Sequence, residues 1–472
     1  MYCLAVCKPH RCLGGGERRT FEVLKYFSEF DVTPILYIPY SDILSTIILE
    51  EVYKLEKLTH VLKTLEHFNV IIPEEIYDNI ENISLNIQHH LDHLKKRGIY
   101  AALSNFNKSI QTIRRLFKDD ISFAKEFLIN SVNMNRINPN KPGFVYSMDG
   151  VPSFVVTGAF LATSLRKGLY ILLQAEPFKP LRESVINYWS SRVTFGGQQP
   201  IKEVARLLLH ISQSVFSVSR YSYFYAFHNN LNGLLTVSDA PLILSGLNSW
   251  VNKRNVKLKM VRPACAVDEK ISKRYINEEE RRRLLRRKED VAVYYARLNF
   301  SKGLFDIIPI AKKLATEGYR LMVIGRFGHI VEETTFFRIC KEKKLNNIEY
   351  LGWFPHEKLF DIVSRSKVLI YPSHSDAFSL VVLEALFLGC SVVAYDIPAI
   401  RSVYRGLKPV KVVKEYDYMN MAEEAIRMLK RDIAEHEEEH LDEDFMDFLR
   451  MHSSWRNVAK ADIEAIKEMI DR

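Results

Sequence analysis

Cysteine is scarce in this chain, six in 472 residues. That is too few for a disulfide framework and points to a reducing compartment. No low-complexity tract interrupts the sequence. No charge-free apolar run reaches the roughly 18–20 residues that a membrane-crossing helix needs. The stretch Ala377–Tyr395 has the length, but it carries Glu384 and Gly389. The first residues lead directly into a strand and a turn without a secretory-signal pattern, so a soluble chain is expected. The spaced Gly-x-Gly-x-x-Gly fingerprint is missing, which disfavours a Rossmann dehydrogenase. The only Asp-x-Asp, Asp442-Glu-Asp444, falls in an acidic run rather than after a strand, so neither metal nor other cofactor is expected. Cys3, Cys7, His10 and Cys12 invite a metal reading, but Cys3 and Cys7 would lie roughly 13 Å apart on a strand. No basic motif interleaved with aromatics suggests nucleic acid as a partner.

What is present is a core-forming composition, 47% hydrophobic, in a chain long enough for two to three domains. Its most informative stretch runs from Tyr371 to Gly389. Val368–Tyr371 reads as a strand, Pro372–Ala377 as a loop, Phe378–Leu388 as a helix closed by Gly389, and Ser391–Tyr395 as the next strand. This is a βαβ unit whose loop lies at the carboxyl edge of a parallel sheet, where ligands bind. Asp376 stands in that loop. Glu384, eight positions on, is the one charge in apolar surroundings, and a carboxylate buried that way is costly unless something hydrogen-bonds it. The pair suits a polyhydroxylated ligand, and the helix start suits a phosphate. The alternative is structural: Glu384 pairs with a core Arg or Lys, and Asp376 caps the helix.

Two further motifs lie at strand ends. In Val291-Ala-Val-Tyr-Tyr-Ala-Arg-Leu-Asn-Phe-Ser-Lys-Gly303 a β-branched and aromatic run ends at Ala296, placing Arg297 at the carboxyl end and Lys302 before a helix. A guanidinium fork and an ammonium there suit a diphosphate, with surface solvation as the alternative. The glycines Gly14, Gly15 and Gly16 follow the apolar strand Tyr2–Cys7 and let a backbone approach a ligand closely. Trp353 and Phe354 follow the strand at Ile348, and core packing is the expectation for both.

These motifs resemble the group 1 retaining glycosyltransferases. Pro-Ser-x-x-x-acid-x-Phe-Ser with Glu-Ala-x-x-x-Gly resembles their donor-site signature, Arg-Leu-x-x-x-Lys-Gly their diphosphate element, and Gly-Gly-x-Glu their glycine loop. The resemblance implies the GT-B architecture, an α/β fold of two Rossmann-like domains with parallel sheets facing across a cleft. It implies that Glu384 binds the ribose of a nucleotide sugar, that Asp376 contacts the transferred sugar, and that Arg297 and Lys302 act on the leaving diphosphate. Phe378, Ser379 and Leu380 belong to the same donor-binding segment, and Gly14–Gly16 face the donor from the other domain. The family more often has Glu where Asp376 stands, and Gly where Ala296 stands. Many members also place a His after a middle strand of the first domain. The equivalent strand here, Leu169–Leu173, leads into Gln174-Ala-Glu-Pro-Phe178, so Gln174 or Glu176 is the candidate sugar contact. His210 and His374 are expected to be satisfied surface or core residues.

The expected organisation is an N-terminal Rossmann-like acceptor-side domain over residues 1–265, with a helical insertion at about 49–140. A C-terminal nucleotide-sugar domain follows over 266–450, and residues 451–472 form a helix that crosses back. Strands are expected at Tyr2–Cys7, Val32–Pro39, Phe144–Met148, Leu169–Leu173 and Val215–Ser219, with a helix at Ile201–Ser212. The second sheet should run through Val291, Leu321, Ile348, Val368 and Val392. The net charge of +9 is concentrated in segments such as Lys253–Arg262 and Arg281–Lys288, which suit phosphates or an anionic membrane surface. For Arg281–Lys288 a solvated helix face is the better reading. The function expected is sugar transfer from a nucleotide diphosphate sugar to a glycan or lipid-linked hydroxyl, in the cytoplasm or peripheral on the membrane's cytoplasmic face. A nucleotide-sugar epimerase of the same fold and a non-catalytic nucleotide-sugar binder are the rivals.

Overall fold

The computed structural model describes residues 1–8, 15–43, 116–177, 218–254, 256–328 and 330–471. Gly14, His10, Cys12, Phe178, His210, the helix expected at 201–212 and most of the 49–140 insertion lie outside the described residues.

Two six-stranded sheets organise the chain, and every strand pair in both is parallel. The first holds β1 (Tyr2–Val6), β2 (Thr33–Tyr37), β3 (Gly143–Ser147), β4 (Leu169–Leu173), β5 (Leu231–Thr236) and β6 (Lys257–Met260), in the order β2-β1-β3-β4-β5-β6. The second holds β7 (Glu289–Tyr295), β8 (Leu321–Ile324), β9 (Ile348–Gly352), β10 (Ser366–Tyr371), β11 (Ser391–Tyr395) and β12 (Val410–Val413), in the order β12-β11-β10-β7-β8-β9. Central strands such as β1, β4, β10 and β11 are buried along their whole length. Helices cover both faces of such sheets, so these strands read as continuous apolar runs without alternation. No helix among the described residues is long and apolar enough to cross a membrane.

Three strands escape the sequence reading. Val218 and Ser219 open a helix, Val218–His228, where a last strand is expected. The true fifth strand, β5, contains Gly233, normally a weakening residue in a strand. Its role is steric: a Cβ there would overlap the sulfur of Met469 and crowd the Tyr170 ring. The sixth, β6, reads as a basic segment because Lys257 and Lys259 flank Leu258. Both ammonium groups turn to the helix Trp455–Asp471, Lys257 to the Met469 carbonyl and Lys259 to Glu468, so this segment is not an open anion patch. The third, β12, is a four-residue edge strand.

The helix Trp455–Asp471 packs against β5 and against the helix Gly15–Leu24 of the first sheet unit. Its contact is anchored by ions. Arg19 Nη1 and Nη2 donate to Asp462 Oδ2 and Oδ1 at 3.0 and 2.6 Å, a bidentate pair with both side chains fully buried. Tyr146 Oη donates to Asp462 Oδ2 at 2.9 Å, and Arg19 Nε donates to the Ala264 carbonyl at 2.7 Å. The guanidinium and carboxylate therefore satisfy one another with neutral groups filling the remaining sites, the arrangement a buried pair requires.

Removing one partner should be far worse than removing both. Asp462→Ala should destabilise by about 3–5 kcal/mol, because Arg19 is left charged and unpaired in the core. Arg19→Met combined with Asp462→Leu should recover much of that loss in urea and thermal unfolding. A single variant as stable as the wild type would contradict the assignment.

Candidate functional site

The loops after β7 and β10 interlock at the carboxyl edge of the second sheet. Asn299 accepts the Lys302 amide at 3.0 Å and turns the chain through Phe300–Lys302 into Gly303. Gly303 has φ +77°, and a Cβ on it would overlap the carbonyl oxygen of Pro372 in the neighbouring loop. Only glycine meets both constraints. The His374 amide donates to the Ser301 carbonyl at 2.9 Å, closing the same seam. Lys302 Nζ then reaches across it, donating to the Ser375 carbonyl and to Asp376 Oδ2, both at 2.8 Å.

Asp376 is thus held before any ligand arrives, by Lys302 and by the Tyr371 hydroxyl, which donates to the same oxygen. It does not cap the following helix. Ser379 occupies that position in a left-handed conformation, φ 65°, without a side-chain capping bond. Arg297 is exposed at the end of β7 and has no side-chain partner among the described residues. Of the two cations, one is committed to a carboxylate and the other is open to a ligand. Phe378 is buried against Tyr404 and His452, and the Ser379 carbonyl accepts from Tyr404 Oη at 3.0 Å, which fixes the lead into Leu380.

Glu384 sits mid-way along the helix Leu380–Phe387, buried, with no hydrogen bond or ion pair to its carboxylate among the described residues. Burial pushes the carboxyl up to about 7, partly offset by Arg18 of the first sheet unit. The core cation that might have neutralised it is committed elsewhere. Arg281, fully buried, donates to the carbonyls of Leu386 and Phe387 at 3.0 and 3.3 Å and to that of His440 at 2.9 Å. Lys288 donates to the Leu388 carbonyl. Two cations therefore complement the carbonyl end of this helix, and burial lowers Arg281 to about 9 and Lys288 to about 8. Arg281 is a buried anchor rather than part of a solvated face, whereas Arg282 and Arg283 do pair with exposed acids of their own helix.

The first sheet unit supplies the facing wall. Gly15 and Gly16 begin the helix Gly15–Leu24. A Cβ on Gly16 would lie 3.4 Å from both Asp149 Oδ2 and Gln174 Oε1, whereas at Gly15 nothing would obstruct one. Gln174 donates from Nε2 to the Met148 carbonyl. Glu176 Oε1 accepts from Ser375 Oγ at 3.1 Å, directly across the cleft. Ser238 Oγ donates to the Ala377 carbonyl, and Arg18 Nη2 lies 3.5 Å from Asp268 Oδ2, so the two walls meet at several points.

Two residues here were not identified from the sequence. Asp149 follows β3 and lines a small cavity of about 30 Å³ with Lys8, Glu17 and Asp42. Burial, reinforced by Glu17, raises its carboxyl to about 7. Its place after a strand of the first sheet was the available signal. Arg18 was hidden inside the glycine motif, and only the fold brings it near Glu384. His374 is a buried core residue: its Nδ1 is hydrogen-bonded to Glu415 Oε1 at 2.8 Å, and its Nε2 lies 2.9 Å from Asp306 Oδ2 without hydrogen-bond geometry. Burial alone would lower its pKa, but the two carboxylates reverse that and raise it. At the end of β9, Trp353 is 53% exposed under the Arg326 guanidinium, 4.3 Å from the ring centre, rather than packed in the core. Phe354 does pack against the core.

Comparisons with known proteins bear on the fold. Residues 276–443 match the family model described as glycosyl transferases group 1. An uncharacterized 41.2 kDa protein in the cps region of Klebsiella pneumoniae is 27% identical over 152 residues, 31% of this chain and 38% of that protein's length. A glycosyltransferase from Rickettsia africae superposes with a TM-score of 0.58 at 13% identity, over 100% of this chain and 99% of the other. The Anabaena protein Alr3699/HepE, solved in complex with UDP and glucose, gives 0.55 at 10% identity over 99% of both chains. The described residues therefore have the GT-B fold of these structures, and the second sheet unit is similar over residues 276–443 to the group 1 glycosyl transferases.

Proposed function

We propose that this protein transfers a sugar from a nucleotide diphosphate sugar to a hydroxyl of a glycan or lipid-linked acceptor, with retention of anomeric configuration. The observation that carries the reading is Glu384, a buried carboxylate with no hydrogen-bond donor among the described residues, on the helix that follows the loop of the Lys302–Asp376 pair. A ribose diol supplies the two donors it lacks. A uridine nucleotide is the first donor to test, since the Anabaena neighbour holds UDP.

In this reading the diphosphate lies at the start of the helix Leu380–Phe387 and against Arg297. The bond between the anomeric carbon and the β-phosphate oxygen breaks, and the acceptor oxygen takes its place on that carbon. The electron pair of the broken bond stays on the diphosphate, where Arg297 and Lys302 offset the growing charge. The acceptor's proton leaves to the departing phosphate oxygen. Asp376, fixed by Lys302 and Tyr371, meets the sugar hydroxyls, with Gln174 and Glu176 opposite. No step is assigned to a metal.

Arg297→Ala and Lys302→Ala should each lower kcat/KM by more than roughly ten-fold, since each removes a charge-assisted contact at the leaving group. Near-normal rates in folded variants would show the clamp to be misassigned. Proton NMR of the product sets its anomeric configuration, and an inverted product would reject retention. An isomerised nucleotide sugar released without acceptor would favour the epimerase.

Glu384 has its own signature. Its carboxyl lies at about 7 in the fold against an ordinary value of 4.5. The folded chain therefore holds this proton more tightly than the unfolded chain, and ionising it costs stability as pH rises across that window. Glu384→Gln removes the cost, so its melting temperature relative to wild type should climb between about pH 5 and pH 8. The same change should weaken donor binding about ten-fold or more, because charged hydrogen bonds to the diol are lost. A 2′-deoxy donor should bind the wild type less well but hardly distinguish itself in the variant. Strictly additive losses in calorimetric titrations would sink the ribose assignment.

A further inference from the structure

A groove at the carboxyl ends of β11 and β12 is used by nothing described so far. It has a volume of about 600 Å³, and its lining includes Asp396, Arg401, Arg405, Lys414, Glu415 and Tyr416. It opens on the same edge of the second sheet as the donor loops, on the β11–β12 side of β10, away from β8 and β9. Ligands of open parallel sheets bind along this edge.

Its charges are unevenly matched. Arg401 is committed to Asp396, Nε to Oδ1 at 3.0 Å, and Glu415 to His374 at 2.8 Å. The Arg405 and Lys414 side chains have no hydrogen bond or ion pair with any described residue. The groove thus presents two cations without bonded counter-ions among the described residues. Between them and the donor loop stands Tyr416, a bulky residue held at φ +68°, where such side chains are genuine outliers. Its ring stacks on His374, with centroids 4.6 Å apart and planes at 27°, yet the residue is 45% exposed. His374 is clamped by Asp306 and Glu415, so the ring rests on a rigid base two residues from Asp376.

An aromatic plate beside two uncompensated cations is the chemistry that recognises an acidic sugar. The plate takes the apolar face of the pyranose, and the guanidinium and ammonium take its phosphate or carboxylate. We propose that this groove binds an anionic saccharide, its acid group between Arg405 and Lys414 and its ring on Tyr416. As acceptor recognition this rests on the transferase reading above. As a binding site it stands without it.

The test is calorimetric titration of the full chain with glucose 6-phosphate, glucuronate, glucose and inorganic phosphate. The background is Arg297→Ala with Lys302→Ala, so that the donor clamp takes no phosphate. At least one of the two sugar acids should bind, and glucose should not. Adding Arg405→Ala and Lys414→Ala should weaken that binding more than about ten-fold, two charge-assisted contacts being lost. Tyr416→Asn, a residue that tolerates the left-handed backbone, should weaken the sugar acids and leave inorganic phosphate unchanged. The preference between glucose 6-phosphate and glucuronate identifies the acid group. The proposal is overturned if neither sugar acid binds, if glucose binds as well as they do, or if binding survives loss of Arg405 and Lys414. Nucleotide sugars titrated into the unsubstituted chain test the transferase reading separately. If they fail to bind while the sugar acids succeed, the groove stands and the transferase reading falls.

Discussion

The bidentate contact between Arg19 and Asp462 holds the two halves of the cleft in register. Arg19 belongs to the helix that begins with Gly15 and Gly16, and Asp462 to the helix that follows the second sheet unit. The same guanidinium binds the Ala264 carbonyl, on the segment where the chain passes from one sheet to the other. One buried ion pair therefore fixes the helix Gly15–Leu24, the linker and the returning helix together. Arg18, next to Arg19, is brought within electrostatic reach of Glu384 as a result. A neutral contact of equal size would pack as well, but it would specify orientation less tightly than two parallel hydrogen bonds.

The second sheet unit was legible because its central strands are buried on both faces and read as apolar runs. Apolar runs ended at Ala296 and Tyr371, and the residues just beyond them, Arg297 and Asp376, are those that the sheet edge displays. The first unit was harder to read. Gly233 in β5 looks like a break until Met469 is seen above it, and β6 looks like a basic patch until its lysines meet the returning helix. In both cases the deciding contact comes from more than two hundred residues away, which no local pattern carries. The anchoring of Arg281 was missed for a related reason. Six basic residues in the eight from Arg281 to Lys288 read as a solvated face, although Arg281 turns inward to carbonyls and His440, and Lys288 to the Leu388 carbonyl.

Electrostatics divides the labour within the second unit. Cations at the carbonyl end of the helix Leu380–Phe387 complement its dipole, and its opposite end has no side-chain cap. Lys302 and Asp376 neutralise one another and stiffen the loop that a sugar would meet. Arg297, Glu384 and the pair Arg405 and Lys414 have no bonded counter-ions among the described residues. These four groups lie along one edge of the sheet, and the Lys302–Asp376 pair helps to hold that edge in shape.

The contact between residues 19 and 462 spans 443 positions of sequence. During synthesis the first sheet unit emerges early, yet Arg19 stays without its partner, and Gly233 without its covering sulfur, until the last helix has left the ribosome. Until then the first unit exposes the surface that this helix will occupy, including an uncompensated guanidinium. Contacts this distant in sequence are slow to form, so the first unit, although made early, stays unfinished throughout synthesis of the second.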